Sequence, residues 1–137
     1  MTEAPREIYN LIKCWLLEMG FVILNEEPEE EIVLVSDNER DIAGLMLDCE
    51  KDILIMQQLM GNLPAEMESI GSAAAELMVM NADMVHGAFK LNKDMNKVFW
   101  WDTIEISSLT KEEVMASINA LSLIMAKHGE RLTEILQ

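Results

Sequence analysis

Ile8, Leu11, Ile12, Trp15 and Leu16 recur at i, i+3, i+4, i+7 and i+8. That spacing marks one face of a 3.6-residue period and predicts a first helix. Pro5 suits its opening turn, where backbone N–H groups have no helical partner. Gly20 is placed to end it, because glycine tolerates the left-handed conformation beyond a last turn. Phe21 to Leu24 then reads as a first strand or the packed lead-in to one.

The pattern changes in the middle of the chain. Ile32 to Val35 is short and β-branched, and Ile42 to Cys49 and Ile53 to Leu59 are apolar runs. Glu50-Lys51-Asp52 between the last two reads as a hairpin turn. Three strands with short polar links predict an antiparallel meander. Glu26 to Glu31 is expected to be a charged, hydrated loop ahead of it; a docking patch for a basic partner is the alternative.

A second helix is predicted from about Pro64 to Asn81, with Asn62 near enough to help cap it. Met67, Ile70, Ala74, Leu77 and Asn81 trace one face. Gly71 to Ala75 makes its middle thin, so another element can approach closely. Met84 to Leu91 and Lys97 to Ile106 read as two further strands around the polar loop Asn92 to Asn96. Thr110 followed by Glu113 is a capping box. Val114, Ile118, Leu121, Met125, His128, Leu132 and Ile135 then form the seam of a long last helix. The predicted order is α-βββ-α-ββ-α. It implies an α+β fold in a single domain over residues 1–137, with an antiparallel sheet of about five strands and three helices.

Charge narrows the partners. The 137 residues carry 25 Asp and Glu against 10 Lys and Arg, a formal net charge of −15. Phosphate backbones are repelled by such a chain, so no nucleic-acid partner is expected. Half of the residues are hydrophobic, which argues against disorder. No apolar run approaches the length of a membrane span and no basic-then-apolar leader opens the chain, so a cytoplasmic protein without membrane insertion is expected. Cys14 and Cys49 are expected to be small buried hydrophobes, with a single bridge between them left open.

Candidate chemistry is sparse. No serine sits in a nucleophile elbow, and no glycine-rich loop joins a strand to a helix. His86 falls in a predicted strand and His128 in the last helix, each without an evident catalytic partner. Asp37, Glu39 and Asp41 match positions one, three and five of an EF-hand-like loop. Ile42 stands where that loop needs glycine and Asp48 where it needs a bidentate glutamate, so a plain solvated loop is expected. No catalytic residue, cofactor or metal site is predicted.

Two residue types point toward binding. Neighbours in a strand face opposite ways, so Trp100 and Trp101 cannot enter the same core. One is expected beneath a helix and the other on the far face, covered by chain, subunit or ligand. Twelve methionines are more than core filling alone suggests, and adaptable thioether side chains also line surfaces that accept varied apolar partners.

The element order, the acidity and the small size resemble the type III secretion chaperone-like fold, shared with YbjN-like proteins. The resemblance runs over nearly the whole chain. It is sharpest from Leu77 to Leu91, with Val98 to Ile106 and the helix from Thr110 matching the rest. It implies a non-enzymatic homodimer that offers apolar surface to an extended segment of a client protein. Carried onto this chain, it makes Ile8, Ile12, Leu34, Leu45 and Leu47 candidates for the client groove. It makes Ala74, Leu77 and Trp101 candidates for the dimer interface. YbjN-like relatives imply a regulatory role in bacterial stress or motility. A small-ligand or metal-dependent enzyme and a structural subunit of a larger complex are the alternatives.

Overall fold

The computed structural model describes residues 3–137, except for the side chains of residues 3–6 and 67; Met1 and Thr2 of the expected leaderless start, and the Met67 side chain on the second helix, lie outside the described residues. Helix α1 spans Glu3–Glu18, and strands β1 to β4 follow at Val22–Glu27, Ile32–Asp37, Ile42–Cys49 and Ile53–Asn62. Helix α2 covers Met67–Asn81, strands β5 and β6 cover Ala88–Leu91 and Lys97–Glu105, and helix α3 closes the chain at Lys111–Ile135. The six strands form one sheet in the order β1-β2-β3-β4-β6-β5, with every neighbouring pair antiparallel. The α+β class and helix–strand order are as predicted. The sixth strand is β1, which takes up Glu26 and Glu27 from the expected charged loop.

The local signals explain most boundaries. Thr110 Oγ1 accepts from the Glu113 N–H at 3.1 Å, the capping box that opens α3. Gly20, at φ 92°, ends α1 in the left-handed region. Asp37 accepts from the Glu39 N–H at 3.0 Å and bonds Arg40, while Asp41 takes φ 58°. The acids of the EF-hand-like spacing therefore shape a tight turn between β2 and β3.

Two boundaries depart from expectation for a long-range reason, and one strand pairing is shorter than its strands. Helix α2 begins at Met67 rather than Pro64, and Asn62 does not cap it. Asn62 exchanges backbone hydrogen bonds with Gln137 instead, at 2.9 and 2.8 Å, and Leu63 is buried. Strand β5 begins at Ala88, so His86 precedes it rather than lying within it. At Gly87 the chain takes φ 77°, and a Cβ there would stand 2.7 Å from the Trp100 ring. Only glycine accommodates both the angle and the contact. Strand β3 pairs with β4 only from Met46 to Cys49 and then diverges. Gln58 bridges the gap, its Oε1 accepting from the Ala43 N–H at 3.2 Å.

One core joins the three helices to the sheet. Tyr9, Ile12 and Leu16 come from α1, Ala73, Leu77 and Met80 from α2, and Val114, Ile118, Leu121, Ile124 and Leu132 from α3. Val33, Val35, Leu45, Leu47, Leu54, Met56, Val98 and Trp100 meet them from alternate positions of the strands. Trp100 is fully buried, a burial that contributes roughly 4 kcal/mol in transfer terms.

Candidate protein-docking face

All three helices place their buried residues in the core on one side of the sheet. Positions between the core residues therefore point to the other side. Register aligns them across the sheet. Leu34 faces Met46, Met46 faces Gln57, and Gln57 faces Trp101. The next row runs Ile32, Asp48, Ile55 and Thr103, and a third joins Leu59, Phe99 and Lys90. Ile32, Leu34, Met46, Ile55, Phe99 and Trp101 are half-buried, and Leu59 is exposed. None belongs to the core cluster. Side by side on adjacent strands, they make a continuous apolar face that no helix covers.

The two ends of this face differ in charge. On the β5 side, the Lys90 ammonium lies 3.3 Å from the centroid of the Trp101 ring, a cation–π contact. At the end near the β1–β2 and β3–β4 turns, Asp48 carries the Glu50 side chain as a hydrogen-bond partner, with Glu30 and Glu31 close by. Burial first, and then these acids, push the Asp48 carboxyl up to about 7. Oδ1 of Asp48 and Oε1 of Glu31 are buried atoms without a hydrogen-bond partner among the described residues. Cys49, beside them on the core face, is pushed up to about 12 by burial and then by Glu31, Asp48 and Glu50, so its thiol stays neutral. Cys14 and Cys49 are both free; Cys14 is exposed on α1, contrary to the expectation that both are buried.

The edges of the sheet also differ. On the outer side of β5, the Asn81 side chain bonds both backbone groups of Phe89, at 2.7 and 3.3 Å. Strand β1 forms the opposite edge, with Val22 and Leu24 exposed. Among the helices, α2 and α3 are tied by Arg131 to Glu76 at 2.8 Å, and by His128 and Lys127 to Asp83 at 2.9 and 3.1 Å. His128 thus serves a hydrogen bond from α3 to Asp83 just beyond α2, and His86 is exposed. These pairs frame a shallow, mainly apolar cavity of about 400 Å³ between α2 and α3, lined by Ala75, Val79 and Met80.

The residues singled out from sequence scatter across this architecture. Ile12, Leu45 and Leu47 are core residues with at most 1% of their surface exposed. They have no surface to give a groove in this conformation. Ile8 is half-buried against the core on α1. Leu34 alone of the five lies on the open face, because it pairs with Met46 and not with Leu45 or Leu47. Of the interface candidates, Leu77 is buried, Ala74 is half-buried beside it on α2, and Trp101 lies on the open face. Trp100 and Trp101 split between the two faces as the strand period requires. The sequence reading gave Ile55 and Phe99 no place on this face, weighed Asp48 only as an EF-hand-like position and placed Asn81 only on one face of the second helix. The apolar run Ile53 to Leu59 does not tell which of its residues face away from the core, and the pairings of Asp48 and Asn81 are set by distant segments.

Among the described residues, no helix is long and apolar enough to cross a membrane, and no group of three or more His, Cys, Asp and Glu is arranged to hold a metal ion.

Comparison with known proteins is consistent with this architecture. The chain is similar to the crystal structure of YbjN from E. coli, with a TM-score of 0.65 and 13% identity, covering 93% of this chain and 94% of that one. It is similar to an uncharacterized protein from Methanothermobacter thermautotrophicus, with a TM-score of 0.63 and 16% identity, covering 93% and 98%. A chain of the ExsC–ExsE complex aligns with a TM-score of 0.54 and 18% identity, covering 86% and 88%. At these identities the likeness establishes the fold. No curated protein matches the sequence. The family model CesT_Tir_1, of the type III chaperone family, matches residues 5–137, and the chain therefore belongs to that family.

Proposed function

We propose that this chain is a non-enzymatic, dimeric, cytoplasmic protein-binding module that receives an extended apolar segment of a client protein. The observation that carries the reading is the open apolar face of the sheet, from Leu34 and Met46 across to Trp101. A half-exposed indole and its apolar neighbours give an extended segment desolvated contact, and adaptable Met46 lets that contact vary. Membership of the type III chaperone family supports the same reading, as does the fold shared with a protein crystallised as the ExsC–ExsE complex. The net charge of −15 serves solubility and encounter with basic partners.

Ala74 and its α2 neighbours, where Met78 and Val79 are exposed, are the surface for the second copy. Glu76 and Asp83 are already ion-paired there, so two acidic copies meet where their charge is lowest. The test is direct. Light scattering should give twice the monomer mass, and the tagged protein should retain a specific partner from its native cell. Trp101→Ala should lose that partner without losing the dimer. A monomer that retains no protein would refute the reading.

A further inference from the structure

The basic residues of this acidic chain are unevenly spread. Of its 10 Lys and Arg, Lys90, Lys93 and Lys97 fall within residues 90–97, where Asp94 is the one acid. Lys13, Arg40, Lys111, Lys127 and Arg131 are each paired with a carboxylate. Among the described residues, no carboxylate is paired with Lys90, Lys93 or Lys97. Two of these lysines share the uncovered sheet face. Lys90 lies directly opposite Phe99, and Lys97 stands two residues from Phe99 on the same face of β6. Diagonal neighbours of this kind are about 7–8 Å apart, so the two make one positive corner. The turn that carries them is fixed, since Asn92 Oδ1 accepts from the Asn96 and Lys97 N–H groups, at 3.0 and 2.9 Å.

The apolar row across the sheet leads to this corner. Leu34, Met46, Gln57 and Trp101 lie side by side on successive strands, and the Lys90 ammonium sits 3.3 Å from the centroid of the Trp101 ring. A segment laid along the row therefore ends at Lys90. Covering the indole also takes water from the ammonium stacked on it, and a desolvated charge is costly unless it is paired. No carboxylate among the described residues pairs with it, so the pairing group comes from the occupant. We propose that the open face receives an apolar segment of a partner protein that carries an aspartate or glutamate, with the carboxylate seated on Lys90 beside Trp101 and Lys97 adding to the attraction. This rests on the protein-binding reading above and adds the chemistry of the segment. Charge complementarity selects this occupant. A carboxylate makes a charge-assisted hydrogen bond to the ammonium where a neutral amide makes a weaker one. A phosphate backbone would bring an anion too, but the net charge of −15 repels it. A partner that is basic overall meets the requirement with one acidic side chain. From Leu34 to β5 is four strand steps, roughly 19 Å at about 4.8 Å each, a distance that about six residues of extended chain cover.

Two acetylated, amidated octapeptides test it. Both have leucines at positions one, three and five with uncharged polar residues between, and one has glutamate at seven where the other has glutamine. Binding is followed by NMR of the Trp101 indole and the Met46 methyl, in about 0.15 M salt. The net charge of −15 disfavours the glutamate peptide, so a preference for it comes from a local cation. The glutamate peptide should bind about fivefold more tightly and shift both signals. Lys90→Gln should erase the preference. Lys51→Gln, the same loss of charge at the exposed β3–β4 turn, should keep it. Trp101→Ala should weaken both peptides. Equal affinity for the two peptides, or an equal effect of Lys51→Gln, would overturn the carboxylate seat while leaving protein binding standing. A halved mass of the Lys90→Gln variant in light scattering would assign the corner to a second copy and overturn the seat as well. Shifts confined to α2 and α3, or no binding of either peptide, would remove the face itself, and partner retention by the whole protein separately decides the broader reading.

Discussion

Asn81 supplies Phe89 with the two hydrogen bonds that a neighbouring strand would give it. Its Oδ1 accepts from the Phe89 N–H at 2.7 Å, and its Nδ2 donates to the Phe89 carbonyl at 3.3 Å. The last residue of α2 thus closes the edge of β5 and fixes the helix against the sheet. Asn81→Ala should cost about 1–3 kcal/mol, the range for two backbone groups losing their partners. Urea denaturation should show the midpoint falling with an unchanged slope. A midpoint equal to the parent's would mean water replaces the amide without loss.

Gly87 is the second fixed point of the same segment. Its φ of 77° and the Trp100 ring, 2.7 Å from where a methyl group would stand, leave no room for adjustment, because Trp100 is fully buried. Gly87→Ala should destabilise by about 3 kcal/mol, from backbone strain and overpacking together. Thermal unfolding measures the loss, and tryptophan emission should shift to the red if the indole is displaced.

Asp48 gives a pH signature of defined sign. Its folded carboxyl is raised from 3.8 to about 7, chiefly by burial and then by Glu50, Glu30 and Glu31. Between those values the folded chain holds a proton that the unfolded chain has released. Stability from this group is therefore lost as pH rises from about 4 to about 7. Asp48→Asn should raise the melting temperature at pH 8 and leave it nearly unchanged near pH 4. Glu76 and Asp83 act in the opposite direction, since hydrogen bonds from Arg131 and from His128 and Lys127 lower them. Their contribution fades as the solution is acidified through their folded values. An Asp48→Asn effect of equal size at both pH values would contradict the assignment.

The cysteines should separate cleanly by reactivity. Cys14 is exposed, whereas Cys49 is 6% exposed and its thiol is pushed up to about 12. A thiol-specific reagent at pH 8 should label one site in the native protein and two in denaturant, with mass spectrometry placing the first on Cys14. Rapid labelling of both would show that the β3–β4 hairpin opens readily.

What the sequence disclosed were relations between near neighbours. The period of Ile8 to Leu16, the Thr110–Glu113 cap and the opposed Trp100 and Trp101 are all local, and each is present in the fold. What it hid depends on contacts between distant residues. Leu34 and Leu45 look equivalent along the chain, yet pairing of Leu34 with Met46 sets them on opposite faces. Periodicity tells which residues share a face of a strand, and not which face the helices will cover. The start of α2 is likewise governed by Gln137, and the start of β5 by Trp100. The docking face was thus half legible: Leu34 and Trp101 were visible, while Asp48 acquired its character only when folding buried it beside Glu50, Glu30 and Glu31.

The seal that Asn81 places on β5 also bears on symmetry. Head-to-tail growth of a sheet needs two complementary free edges on every copy, and here one edge is occupied at its centre. The remaining edge, β1, can meet only the same edge of another molecule, around a two-fold axis that closes after two copies. Glu26 is paired with Lys13, and Glu27 on that strand makes even this pairing less favourable at low ionic strength. The fold can therefore leave a broad apolar face open to a partner while its sheet edges deny it a route to filaments.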